Sequence, residues 1–308
     1  MNKNDKIYVA GHTGMVGSAI IKSLEKDGYS NLVFRTSKEL NLKDSLKVEK
    51  FFELEKPDIV IFAAAKVGGI QANINNPAIF LFDNLLIQNN VIKSALDFNV
   101  KKFLFLGSSC IYPKECLQPM KEEYLMTGKL EPTNEGYAIA KITGIKLLEA
   151  FNKQYGFDSI SLMPCNLYGP NDSFDAENSH VLSALVKKFV DAEIQNLDSV
   201  ILWGSGNARR EFMHVNDMAN AVKYFLENYN DTEFINIGPG VDISIKELAV
   251  LIASKVGFSG LIKWDISKPD GMLRKCMDVT KMKKNGFSPK ISLNDGIIEM
   301  IKIYKNLN

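Results

Sequence analysis

In the stretch "NEGYAIAKITG", Tyr137 and Lys141 stand four residues apart, a spacing that sets both on one face of a helix. A lysine ammonium beside a phenol favours phenolate, so the pair is expected to lower the tyrosine pKa from its usual value of about 10. A tyrosine tuned in this way passes a proton to a carbonyl oxygen as hydride arrives at the carbon. Upstream, the apolar run "FLFLGSSCIYP" stops abruptly at Gly107, Ser108, Ser109 and Cys110. It reads as a buried strand whose terminal hydroxyls face the crevice where ligands bind in open α/β sheets. Ser108 and Ser109 are both candidates to donate to the same carbonyl, and Ser108 is preferred. Cys110 at a strand end packs as a small hydrophobe unless its pKa is tuned.

Right after the first apolar run comes "GHTGMVG", with Gly11, Gly14 and Gly17 opening a helix. Such a loop turns sharply and lets the helix N-terminus, with its free N–H groups, approach a pyrophosphate. Strand before and helix after are the context that makes a glycine triplet a dinucleotide site. His12, Thr13, Met15 and Val16 fill the same loop. In NAD-preferring proteins an acid near the end of the second strand holds the ribose hydroxyls. Here "LVFRTSKEL" offers Arg35 and Lys38, cations suited to a 2′-phosphate, so NADP is the expected cofactor.

The elements that must position these groups follow from periodicity. "KIYVAG", "NLVFRT", "PDIVIFAAA", "KKFLFLGSS" and "SISLMPCNLYGP" are short continuous apolar runs. Helical stretches separate them: Met15–Lys26, one capped by Asp44 and running to Glu55, Pro77–Phe98 and Tyr137–Gln154. Apolar strands alternating with helices predict a parallel sheet covered on both faces, a Rossmann-type doubly wound α/β fold. Residues 1–170 are expected to form the dinucleotide-binding domain, with about 212–240 returning to it. Residues 171–308 are mainly a smaller substrate-binding region, with the polar loop "NDSFDAENSH", the helix "VLSALVKKFVDAEI", strands "VILWG" and "FINIGPG", and helices over 243–256 and 293–305.

Composition narrows the function classes. The 308 residues carry a formal charge of +1, so no basic surplus argues for nucleic acid. No apolar run is long enough to span a bilayer, and the N-terminus lacks a signal-peptide core. Cys110, Cys116, Cys165 and Cys276 form no CxxC pair, and there are three histidines, so no metal site is expected. The reading is a reduced, cytoplasmic protein.

Glycine loop, strand-end serine and YxxxK together resemble the extended short-chain dehydrogenase/reductase family over nearly the whole chain. "MPCNLYGP", "WGSGNARREFMHVNDMA" and "INIGPG" agree with it. Within that family, "AGHTGMVGSAI", "AAAKVGGI", "GSSCIYP" and "NEGYAIAK" look like members that use NADPH to convert GDP-4-keto-6-deoxy-D-mannose to GDP-L-fucose. The implied reaction inverts C3 and C5 and then reduces C4. The resemblance implies Ser108, Tyr137 and Lys141 as catalytic, with Cys110 as base and His180 as acid. It implies that Leu106, Gly107, Pro164, Asn166, Leu167, Lys141 and His180 also touch the cofactor, along with Ser37. Basic residues commonly occupy the places of Thr13 and Ser37 in such enzymes. It further implies Lys188, Trp203, Arg210 and Asp270 as substrate contacts. Trp203 would stack on sugar or base and Arg210 would pair with pyrophosphate oxygens. A homodimer through the helices near 77–98 and 136–155 is implied as well. Other readings are another nucleotide-sugar epimerase or reductase of the family, or an NAD(P)-sensing protein without chemistry.

Overall fold

The structure, a computed structural model, describes residues 1–175, 179–268 and 270–307. Part of the predicted polar loop, residues 176–178, lies outside them.

The first part of the chain alternates as expected. β1 (Ile7–Ala10), α1 (Met15–Lys26), β2 (Leu32–Val33), α2 (Ser45–Glu55) and β3 (Ile59–Phe62) lead to α3 (Ile70–Asn75) and α4 (Pro77–Asp97). β4 (Lys102–Leu106), α5 (Glu135–Tyr155), β5 (Ser159–Pro164) and β6 (Asn166–Tyr168) follow. Then come α6 (Val181–Ile194), β7 (Ser199–Trp203), β8 (Arg209–His214), α7 (Val215–Asn228), β9 (Ile235–Ile237) and β10 (Asp242–Ser244). α8 (Ile245–Val256), β11 (Leu261–Asp265), β12 (Arg274–Lys275), α9 (Thr280–Lys284) and α10 (Leu293–Lys305) complete the chain.

Local chemistry sets several boundaries. The Asp44 side chain accepts the Lys47 N–H and starts α2. Gly156 in the left-handed region ends α5. Ser244 and Glu247 form a reciprocal capping box at α8, so residues 242–244 lie in a strand where the periodicity predicted helix from 243.

The main sheet has six parallel strands in the order β2-β1-β3-β4-β5-β9. Every residue of β1, β3 and β5 is buried, which is why these strands read as unbroken apolar runs. α4 packs on α5, and α1 packs on α7. β9 therefore pairs beside β5, and the preceding helix covers the sheet. A second apolar core gathers α6, α8 and α10 around Leu182, Phe189, Ile252 and Ile297. Between the cores lies a small sheet that spacing did not reveal: β8 pairs with β6, β10 and β12. Its β12 runs parallel to β8, with Lys275 opposite Arg210. The segment just past β4 meets this second sheet, where Lys275 of β12 reaches the Cys110 sulfur, and β5 leads into β6, which pairs with β8.

Candidate active site

The glycine loop has the backbone a pyrophosphate cradle needs. Gly11 sits at φ +87°, and a Cβ there would come within 2.7 Å of the Ala64 backbone nitrogen. A Cβ on Gly17 would meet the His12 Cα at 2.8 Å, so α1 could not approach the loop with any larger residue. Gly14 caps α1 and donates its N–H to the Gly11 carbonyl at 3.1 Å. The His12 ring stacks on Phe34 with centroids 4.7 Å apart, and its Nδ1 is buried without a partner among the described residues. A buried orphan nitrogen in an open glycine cradle fits a bound dinucleotide. Met15 and Val16 are half-buried in the first turn of α1, and Thr13 is exposed.

At the ribose end the arrangement is less simple than the charges alone predict. Arg35 donates to Glu55 at 2.5 Å and to the Phe34 carbonyl at 2.8 Å. Its charge is therefore partly answered within the chain. Ser37 and Lys38 are exposed.

The β4 end brings four groups together. Ser108 caps a short turn, and its hydroxyl accepts the Cys110 N–H at 3.2 Å. Ser109 is buried. Lys141 is fully buried, and its ammonium donates to the Leu106 carbonyl at 2.8 Å while lying 4.8 Å from the Phe105 ring centroid. Burial pushes Lys141 down to about 7. Tyr137 departs from expectation. Burial raises its pKa, the neighbouring Cys110 adds to the rise, and the Ser108 hydroxyl only partly opposes it. The lysine ammonium lies 5.8 Å from the Tyr137 ring centroid, and desolvation outweighs it. The phenol thus holds its proton firmly, which suits a proton donor more than a ready phenolate.

Cys110 shifts the other way. Burial alone would raise its pKa, but the Lys275 ammonium, the Ser108 hydroxyl and the Arg210 guanidinium together hold it below the ordinary thiol value. Lys275 Nζ lies 3.2 Å from the sulfur and Asn134 Nδ2 lies 3.3 Å from it. His180 stands exposed at the N-terminus of α6. Asp172 is near enough for the histidine's charge to act on its carboxyl, and it also accepts the Ser183 hydroxyl. No hydrogen bond or ion pair among the described residues joins His180 to Cys110.

Around the second core, Trp203 is 64% exposed at the end of β7, with Lys188 and Lys268 Nζ 5.9 and 5.5 Å from its ring. Lys188 also donates to the Ile201 carbonyl at 3.0 Å. Arg210 is held by the Arg209 and Asp270 carbonyls at 2.8 and 3.3 Å. The Asp270 carboxylate accepts the Ser205 N–H and hydroxyl, each at 2.7 Å, and so ties down the loop after β7. On the cofactor side, Gly107 donates to the Leu162 carbonyl at 2.9 Å, and Asn166 donates to the Glu211 carbonyl at 2.9 Å. Pro164 ends β5, and Leu167 lies half-buried in β6. His214 packs locally: its Nδ1 accepts the Asn216 N–H at 3.2 Å.

Three contributors had no sequence signal of their own. Lys275 lies 165 residues from the cysteine it meets. Asn134 stood in the quoted "NEGYAIAK" without being singled out. Glu211, wholly buried, accepts the backbone N–H groups of Gly240 at 2.5 Å and Met277 at 3.0 Å. It thereby anchors the strand that presents Lys275. The four cysteines are free thiols.

Residues 7–238 match the NAD dependent epimerase/dehydratase family, and the chain belongs to that family. It is 53% identical to GDP-L-fucose synthase 1 of Arabidopsis thaliana, covering 98% of this chain and 94% of that one. It is 51% identical to the GDP-L-fucose synthase of Escherichia coli K12, covering 95% of this chain and 94% of that protein. Among solved structures it resembles the GDP-mannoheptose C4 reductase from Campylobacter jejuni with NADP bound. That match has a TM-score of 0.91 and 40% identity, over 99% of each chain. No described helix is long and apolar enough to cross a membrane.

Proposed function

We propose that this chain is an NADP-dependent epimerase and reductase that converts GDP-4-keto-6-deoxy-D-mannose to GDP-L-fucose. The observation that carries this reading is a cysteine with a depressed pKa placed beside a serine–tyrosine pair at one strand end. The relatives' names support the sugar and the nucleotide.

C3 and C5 both flank the C4 ketone, so their protons are acidified. Cys110 takes the proton from such a carbon, and Ser108 and Tyr137 donate to the C4 oxygen while it carries enolate charge. His180 returns a proton on the opposite face. The same two donors hold the C4 oxygen in the reduction, where Tyr137 gives up its proton. Lys141, charged, steadies the phenolate left behind. NADPH, held by Gly11–Gly17, Lys141 and the Arg35–Lys38 turn, supplies hydride equivalents when bound. Trp203, Arg210 and Lys188 grip the GDP part. The protein works in the cytoplasm as a homodimer, with the exposed Ile79 and Phe82 of α4 offering an apolar contact.

The test is NADPH consumption with GDP-4-keto-6-deoxy-D-mannose, wild type beside Cys110→Ser, with product stereochemistry by NMR. GDP-L-fucose from the wild type, and loss of epimerisation in the variant, support the reading. A wild type that consumes no NADPH with this sugar overturns it.

A further inference from the structure

Lys275 is the feature the reaction scheme has not used. It sits on β12, opposite Arg210 on β8, and its ammonium is 3.2 Å from the Cys110 sulfur. Asn134, at the start of α5, donates to the same sulfur at 3.3 Å. Two N–H donors, one of them cationic, therefore converge on one thiol from different elements. A neutral thiol is a weak acceptor and rewards such an arrangement poorly. A thiolate accepts both bonds and gains the charge interaction as well.

The placement is structurally costly enough to need support. The Lys275 segment is held from three sides: β12 pairs with β8, the Gln118 side chain accepts the Cys276 N–H at 3.0 Å, and the buried Glu211 accepts the Met277 N–H at 3.0 Å. Met120 adds a backbone bond to the Cys276 carbonyl at 2.8 Å. The lysine is thus delivered to the cysteine by a fixed strand and not by a mobile loop.

We infer that Lys275 is a positioning residue that holds Cys110 as a thiolate, so that the cysteine enters the reaction already deprotonated. The inference rests on the proposed role of Cys110 as base. The ionic pair moves no net proton at rest. When the thiolate takes a carbon-bound proton it becomes a thiol. The negative charge passes to the C4 oxygen, where Ser108 and Tyr137 receive it. The Lys275 ammonium keeps its protons throughout. Once His180 has protonated the carbon on the opposite face, the Cys110 thiol releases its proton to solvent, and the Lys275 charge holds the thiolate again.

The experiment has two readouts on the full-length protein. The first is the pH dependence of Cys110 alkylation by iodoacetamide, followed on its own peptide by mass spectrometry, in wild type, Lys275→Met and Lys275→Arg. The second is deuterium wash-in at C3 and C5 of GDP-4-keto-6-deoxy-D-mannose in D2O without NADPH, including Cys110→Ala. In Lys275→Met the alkylation midpoint is expected to move up by at least about one pH unit, a roughly tenfold loss of thiolate near neutrality. Wash-in is expected to fall in parallel, by a drop in kcat that higher pH restores. Lys275→Arg, which keeps the charge, is expected to recover most of both. An unmoved alkylation midpoint in folded Lys275→Met overturns the inference. Wash-in that persists in Cys110→Ala overturns instead the assignment of the base, whatever Lys275 does to the thiol.

Discussion

Replacing Glu211 by Gln is expected to remove a pH dependence from the stability of this protein. Glu211 is wholly buried on β8, and burial pushes its carboxyl up to about 7 against the bonds it accepts from Met277 and Gly240. An acid whose folded pKa lies above its unfolded value keeps its proton in the fold while the unfolded chain releases it. Below about 4.5 both states are protonated and nothing is lost. Between about 4.5 and about 7 stability falls as pH rises, and above that the loss is complete. A shift of that size is worth about 3 kcal/mol at 1.36 kcal/mol per unit. Gln carries no charge and contributes no slope. Its amide does present a donor to one of the two N–H groups, a penalty that offsets the curve without tilting it. Urea unfolding of wild type and Glu211→Gln from pH 5 to pH 9 tests this, because other titrating groups cancel in the difference. The wild type is expected to lose about 2–3 kcal/mol relative to the variant across that range. Parallel curves would show that Glu211 ionises freely in the fold, and the reasoning from burial would be wrong.

Gly11→Ala is expected to weaken NADPH binding by more than about tenfold, since positive φ and a backbone contact at 2.7 Å both oppose a Cβ. Calorimetric titration measures it, and wild-type affinity would remove the glycine cradle from the cofactor site. Arg35→Ala is expected to cost about tenfold in NADP affinity and little in NAD affinity, the loss of one charge-assisted contact. Equal losses for the two cofactors would mean that Arg35 serves Glu55 alone. Reduction by wild type is expected to slow as pH rises through about 7, because Lys141 loses there the charge that steadies the Tyr137 phenolate. Single-turnover rates read this limb, and a rate that climbs through the same window contradicts the role given to Lys141.

The readable parts of this protein are those whose causes are local. Buried strands with both faces covered must be apolar throughout, so β1, β3, β4 and β5 were visible as runs. The glycine loop and the Tyr137–Lys141 spacing are also local, because a turn and a helix face are set by neighbours a few residues away. β6 read as the tail of "SISLMPCNLYGP", β10 overlaps the helix predicted from 243, and the charged pair Arg274–Lys275 of β12 forms no apolar run.

From the sequence alone came the doubly wound sheet, the cradle and the serine, tyrosine and lysine at its mouth. Tertiary structure alone decided their electrostatics. It buried Tyr137 enough to raise a pKa that spacing predicted to fall, and it matched Arg35 with Glu55. It also carried Lys275 across 165 residues to the sulfur of Cys110. Desolvation and charge pairing depend on which distant segments meet, and no window along the chain contains that information.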